Sequence, residues 1–485
     1  MSIQPTPSLT ICQPDVSLGD LHVWTDAKNR LSLRFSIYET LVQYDAGGAY
    51  CPGLARRWTL AEDARTWTFH LRPDVRFHDG DRLTARDVVA TLARVCAPDM
   101  PGEYGTQGLY ASYLGGATFD APDVHTVRLV TARSMADLLD LLVKLPIAPH
   151  ERLDSLADEP IGSGPYRFAD AESDRVTMAR FEQYWGDPPP AAALHWQAEP
   201  EQEARVAALL AGEADIVTNI TADAVTDAVT DAVTDIDGDP DVEIVAWESC
   251  LCVIFMLNVQ NDGPCADRRV RQALNYAADV PALIKRVKGG AAQPLNGPLT
   301  PHHFGYDPAT RPYPHDPERA RRLLAEAGYA GGLALTVDVP TRHPDEAPQL
   351  VRCLAEQYAP AGIDLQVRTH ADRPAYAQMV KAKAIGDACC FDSSPLSTYR
   401  CLREKFYAGV AGPWWQGYEN PAVDQLLEQA WAMVEDGRRQ ALYRQAYRLI
   451  RDDAPWIFLY RPTHFWGVGP RARGWQVGVD ELVRV

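Results

Sequence analysis

Residues 333–369 read LALTVDVPTRHPDEAPQLVRCLAEQYAPAGIDLQVRT. Leu333, Leu335, Val337 and Val339 alternate with smaller or polar residues, which is the period of a strand. A helix is expected around Gln349–Tyr358 and a second strand over Asp364–Thr369. Strand, helix and strand of these lengths make a βαβ unit, whose two strands lie parallel in one sheet.

Working outward, the same alternation persists. Asp316 followed by Pro317 opens a helix to about Ala327, with Gly328 after it as the terminator. Another helix runs from about Asp267 to Ala278, and Asp279 with Pro281 starts the next. Cys250–Val259, the most apolar stretch, reads as a buried strand before the loop Asn261-Asp-Gly-Pro. Downstream, Asn420-Pro opens a helix to about Val434, Gly437–Arg451 forms another, and Trp456–Tyr460 is a strand. Upstream, Trp67–Arg72 alternates as a strand, His78-Asp-Gly-Asp turns, and Thr84 caps a helix through Arg94. Residues 32–44, SLRFSIYETLVQY, alternate loosely and end in the turn signal Asp45-Ala-Gly-Gly. The tetrad AVTD repeats three times, from Ala224 to Asp235. On a helix it would align Val225, Val229 and Val233 in one apolar stripe, as on an expanded surface helix. Strands alternating with helices set the class as α/β.

Composition narrows the function. The 485 residues suggest about three domains, at roughly 150 residues each. No apolar run approaches the length of a membrane helix, so no membrane span is expected. With 47 Lys and Arg against 65 Asp and Glu, a net charge of −18 argues against a nucleic-acid binder. Ten cysteines occur without a zinc spacing; Cys250 and Cys252 would share one strand face, and buried thiols are the expectation. Residues 1–20 carry no basic, apolar and small-residue succession of a signal peptide. Many unpaired cysteines without a signal suit a reducing cytosol.

Catalytic signatures are missing. Gly162-Ser-Gly164 lacks the spacing of a nucleophile elbow and reads as a backbone turn. There is no dinucleotide fingerprint, P-loop, zincin motif or calcium loop. His302-His303 reads as a polar loop pair, and no His/Cys cluster marks a nickel or haem site. No cofactor and no metal are expected.

Several stretches together resemble the extracellular solute-binding proteins, family 5, which deliver dipeptides, oligopeptides or nickel to ABC importers. They are IYETLVQYD at 37–45, PGLA at 52–55 with Trp58, and WTFHLRPDVRFHDGDRLTARDVV at 67–89. Further ones are PIGSGPYRF at 160–168, RVRQALNYA at 269–277, NGP at 296–298, YDP at 306–308, Leu442-Tyr443 and Ala454-Pro455. The resemblance covers about residues 20–465. It implies a two-lobed periplasmic-binding-protein-like fold (type II, three-segment, cluster C) with a hinge and a central ligand cleft. On that template 1–50, 156–253 and 466–485 form lobe 1, 51–155 a small extra domain on it, and 254–465 lobe 2.

The resemblance also implies ligand-binding residues. Peptide-binding relatives carry an aspartate in a segment reading roughly W-x-x-D-Y-P-D-P, where it takes the ligand ammonium. Asp392 in CCFDSSPL, 389–396, matches it, although Cys389 replaces the tryptophan and Ser393-Ser-Pro departs from the rest. A cleft carboxylate is stable only when paired, and an ammonium suits it. Arg342, after strand 333–339, resembles the carboxylate-binding arginine of dipeptide binders and could pair bidentately. Tyr399, Arg400 and Arg403 follow Asp392, and Trp414-Trp415, bordered by Gly and Pro, suits a pocket wall. Trp24 falls where the family's N-terminal strands reach the cleft.

The expectation is therefore a monomeric solute-binding protein for a small amine-bearing ligand, a short peptide or amino-acid conjugate, with an ABC permease as partner. Its localisation by family is periplasmic or extracellular. The alternative is a cytosolic protein of the same fold, repurposed as an enzyme or binder in a biosynthetic pathway and using the cleft and Asp392. The missing signal and the ten cysteines motivate it. A signal peptide in a longer reading frame would exclude it.

Overall fold

The computed structural model describes residues 8–23, 28–102, 108–222, 241–260, 262–393 and 395–485. Trp24 and the AVTD tetrads lie outside the described residues. The chain divides into two compact units, Met1–Trp247 with His464–Val485, and Glu248–Thr463.

In the first unit, β1 (Leu9–Gln13) supplies a central strand. Helix α1 (Lys28–Ile37) follows, where the sequence alternation suggested an extended segment. Arg34 explains the difference. It is 1% exposed and donates from Nε to the Leu18 carbonyl at 2.9 Å, so a charged position faces inward and mimics period two. Strands β2 (Ala55–Leu60), β3 (Thr66–Leu71), β4 (Thr118–Asp123) and β5 (Thr126–Val130) form an antiparallel sheet in the order β2-β3-β5-β4. Before β4 comes helix α2 (Ala85–Val95). Its Asp87 accepts the Thr84 N–H at 2.8 Å, closing the expected N-terminus. The larger sheet adds β6 (Tyr166–Ala171), β7 (Arg175–Arg180), β8 (Ala193–Ala198) and, after α3 (Gln202–Leu210), β9 (Ile216–Ile220). β1 pairs in parallel with both β8 and β9.

Gly162 and Gly164 fit the turn reading. A Cβ on Gly162 would stand 2.1 Å from the Ile37 carbonyl oxygen, and one on Gly164 would stand 2.7 Å from it. Between them, Ser163 donates to the carboxylate of Glu39 at 2.9 Å.

The second unit is built on β10 (Cys252–Leu257), buried at all six positions. Helices α4 (Arg268–Ala277), α5 (Val280–Lys288) and α6 (Pro317–Glu326) start at Asp267, Asp279 and Asp316. Each aspartate accepts a backbone N–H of the first turn, as their positions in the sequence dictate. The βαβ unit is β11 (Leu333–Pro340), α7 (Ala347–Tyr358) and β12 (Ile363–His370). Its strands run parallel from Leu333↔Ile363 to Pro340↔His370. Then come α8 (Arg373–Lys381), β13 (Ala388–Ser393), α9 (Thr398–Phe406), α10 (Pro421–Trp431), α11 (Asp436–Asp453) and β14 (Trp456–Val468). The sheet order is β12-β11-β13-β10-β14, and its core includes Leu335, Val337, Cys390, Leu354 and Tyr358. No helix among the described residues is long and apolar enough to cross a membrane.

Candidate functional site

Asp392 is the fifth residue of β13, opposite Val253 of β10. Its side chain is 21% exposed, and no other described residue donates a hydrogen bond to its carboxylate. The nearest cation is Arg373, with Nη2 3.8 Å from Oδ1. Burial pushes the Asp392 carboxyl above its ordinary value, and the charges of Arg373, His343 and Lys405 offset this only in part.

Arg373 is the first residue of α8, held there because Asp372 accepts the Ala375 N–H at 2.9 Å. Its Nε donates to the His343 carbonyl at 3.1 Å, and its guanidinium stands 5.1 Å from the Phe391 ring. Nη1 is enclosed and has no hydrogen-bond partner among the described residues. Asp392 and Arg373 thus share a loose contact, each with bonding capacity left over. The sequence reading missed Arg373. The signal was Asp372 before Arg-Pro, a helix start like those recognised at Asp279 and Asp316.

Phe391 carries the aromatic wall. Trp414 stands 5.0 Å from it and Tyr376 6.5 Å, ring to ring. Trp414 is half-buried on this wall, whereas Trp415 turns into its own loop and donates Nε1–H to the Tyr418 carbonyl at 2.6 Å. Loop 412–418 is fixed from three sides. Lys383 Nζ donates to the Gly412 and Pro413 carbonyls at 2.6 and 2.9 Å, Gln416 donates to the Val380 carbonyl, and the Val259 N–H donates to the Gln416 carbonyl. Gly417 has φ +92°, and a Cβ there would meet Gln260 N at 2.3 Å.

Arg342 is exposed in the loop after β11 and makes no hydrogen bond or ion pair among the described residues. Its neighbour His343 is the residue that holds Arg373. Tyr399 and Arg400 are both 5% exposed on α9. Tyr399 packs edge-on to Trp431 at 5.3 Å, and Arg400 Nε lies 3.4 Å from Glu404. The structure therefore brings Asp392, Trp414 and the unforeseen Arg373 together around Phe391.

The thiols lie in the interior. Eight of the ten cysteines are buried, with Cys51 and Cys96 half-exposed. Cys389 and Cys390 are fully buried, and burial pushes both thiols up. Cys401 lies 3.7 Å from His303 Nε2 and 3.3 Å from the Pro395 carbonyl. His303 is itself buried rather than a polar loop residue. Its Nδ1 accepts the Thr300 N–H at 3.1 Å, which leaves Nε2–H to donate to Pro395 O at 2.9 Å. The ring is a structural bridge. No group of three His, Cys, Asp or Glu among the described residues could hold a metal ion.

Residues 49–391 match the bacterial extracellular solute-binding proteins, family 5 Middle. The glutathione-binding protein GsiB of Pectobacterium atrosepticum is 30% identical over 453 residues, covering 90% of this chain and 85% of that one. Among solved structures, HbpA2 from Haemophilus parasuis superposes with a TM-score of 0.84 at 22% identity, covering 98% of both chains. The periplasmic binding protein DppA from Helicobacter pylori, solved with the peptide STSA, gives 0.78 at 25% identity, covering 99% of this chain and 96% of that one. The chain belongs to the family 5 extracellular solute-binding proteins of ABC transport. Its α/β periplasmic-binding-protein fold is the class expected from the sequence.

Proposed function

We propose that this protein captures a small solute bearing a primary ammonium, a short peptide or amino-acid conjugate, and presents it to an ABC permease. Asp392 is the counter-ion for that ammonium. The observation supporting this is the state of Asp392: a mostly buried carboxylate with a raised pKa, whose nearest cation is 3.8 Å away. A mostly buried carboxylate without a close cation is costly, and an incoming ammonium relieves that cost. Arg373 occupies the place of the cation meanwhile and yields it to the ligand. Trp414 on Phe391 supplies apolar contact for the ligand's body. The glutathione and peptide binding named for the two relatives agrees with an amine-bearing ligand. The protein acts as a monomer, and closure of two lobes on the ligand completes the site, as in the family's hinge.

A thermal-shift screen with di- and tripeptides, opines and polyamines tests this reading. Stabilisation should grow with ligand concentration relative to its dissociation constant. If no amine raises the melting temperature, or Asp392→Ala leaves the response unchanged, Asp392 is not the anchor.

A further inference from the structure

Lys383 stands two residues beyond the end of α8, in the left-handed conformation at φ +63°. Glycine ordinarily takes that position after a helix, because a Cβ there is strained. The half-buried lysine side chain is what offsets the strain here. Its Nζ donates to the Gly412 and Pro413 carbonyls at 2.6 and 2.9 Å, and among the described residues it has no carboxylate partner. Burial pushes the pKa of the ammonium down to about 8, so its charge too is held at a cost. Strained backbone and lost hydration are both set against two bonds to a single loop.

That loop has little else to hold it at its aromatic residue. Among the described residues neither Pro413 nor Trp414 makes a backbone–backbone hydrogen bond. Before them, Ala411 is also left-handed at φ +46°, and Gly412 is pressed on α9, where a Cβ would meet the Glu404 carbonyl oxygen at 2.6 Å. The ring of Trp414, 5.0 Å from Phe391, therefore depends on the bond from Lys383 to the carbonyl just before it. The helix that ends near Lys383 begins at Arg373, beside Asp392, and its Tyr376 stacks on Phe391. One element thus carries the residues that set both the charged and the aromatic part of the site.

We infer that Lys383 is a positioning residue that fixes Trp414 against Phe391 and so sets the preference of the site for a ligand with a large apolar group next to its ammonium. The inference rests on the amine-binding reading of Asp392 and narrows it. The ligand class becomes a peptide or conjugate whose first residue is large and apolar, since Phe391 directly precedes Asp392 on β13. Without the clamp the Trp414 ring leaves Phe391, and the apolar contact goes with it, while the charge contact at Asp392 stays.

The test is calorimetric titration of the full chain with phenylalanyl-alanine and alanyl-alanine, which share the ammonium and differ by one ring. Wild type should bind the first about tenfold tighter. Lys383→Met should bring that ratio under about threefold, and Trp414→Ala should do the same. Lys383→Arg, which can still donate to both carbonyls, should keep it. Tryptophan emission gives an independent readout, because the difference between a protein and its Trp414→Phe version isolates one ring. In the Lys383→Met background this difference should move to longer wavelength as the ring gains water. An unchanged ratio in Lys383→Met, or unshifted Trp414 emission, overturns the inference and makes Lys383 a structural helix end. If Lys383→Met does not fold, Lys383→Gln is read by the same criteria, and failure of both to fold is the structural outcome. Should wild type bind the two dipeptides equally while Asp392→Asn weakens both, the inference alone fails. Should wild type bind neither, or Asp392→Asn bind as wild type does, the amine reading fails and takes this inference with it.

Discussion

Asp338 sits on β11, paired with Cys389 of the strand that carries Asp392, and its replacement by asparagine should cost the second unit about 2–4 kcal/mol. Its carboxylate is fully buried and accepts two bonds from Arg368 at 2.8 and 2.6 Å, one from His370 at 2.7 Å and the Gly386 N–H at 2.7 Å. These contributions are unequal. The Arg368 side chain is 51% exposed and can turn to water, so its pair is worth only about 0–1 kcal/mol. The Gly386 N–H cannot follow it, and a buried donor left opposite an amide NH₂ costs about 1–3 kcal/mol. Burial alone would raise the Asp338 carboxyl, but the bonds from Arg368, Gly386 and His370 outweigh it and hold the group below its ordinary value. A depressed carboxyl stabilises the fold above the unfolded-state pKa and loses that contribution as pH falls through the folded one. Urea unfolding of wild type and Asp338→Asn at neutral pH should therefore differ by this amount, and the gap should close on acidification below about pH 4. A difference under about 0.5 kcal/mol at neutral pH would refute the reasoning. The link to function is the register Asp338↔Cys389, which carries Asp392 three residues further along β13.

Three further outcomes follow from the same geometry. Burial pushes Glu39 up to about 7 despite bonds from Trp185, Ser163 and Tyr184; its stabilising contribution is complete below the unfolded-state pKa and lost as pH rises through about 7. The melting temperature should decline across that interval in wild type, and a decline of equal size in Glu39→Gln would remove Glu39 as its source. Gly417→Ala forces a side chain to φ +92° and against Gln260, so it should cost at least about 2 kcal/mol and shift the fluorescence of Trp414 and Trp415. A native thiol titration should label Cys51 and Cys96 first, with the remaining eight reacting only on unfolding; rapid labelling of Cys389 or Cys390 would contradict their burial.

Much of the fold was legible because helix ends are local. Asp267, Asp279, Asp316 and Asn420 each accept a first-turn N–H within three residues, so sequence spacing alone locates them. The βαβ unit was legible because one apolar face repeats with period two. Where tertiary partners decide, the sequence misled. Arg34 faces inward because carbonyls 13 and 16 residues away receive it, so the residues around it look like a strand although they are a helix to Ile37. Strand β14 runs on to Val468, past Tyr460, because β9 pairs with its far end. At the site, Asp392 and Trp414 could be picked out by family pattern and by composition. Arg373 could not, since its meaning lies in the acceptor its Nη1 fails to find among the described residues, a property only coordinates reveal.

If Asp392 is held ready for a ligand ammonium, its charge must govern affinity. Calorimetric titration of alanyl-alanine into wild type and Asp392→Asn tests it most directly. Affinity should fall by about 30-fold or more in the variant. Wild-type affinity should also weaken as pH falls through the raised Asp392 pKa, because the protonated carboxyl has no charge to offer, while the variant shows no such dependence. Wild-type binding with equal affinity in the variant, to within about threefold, and the same pH profile would contradict it.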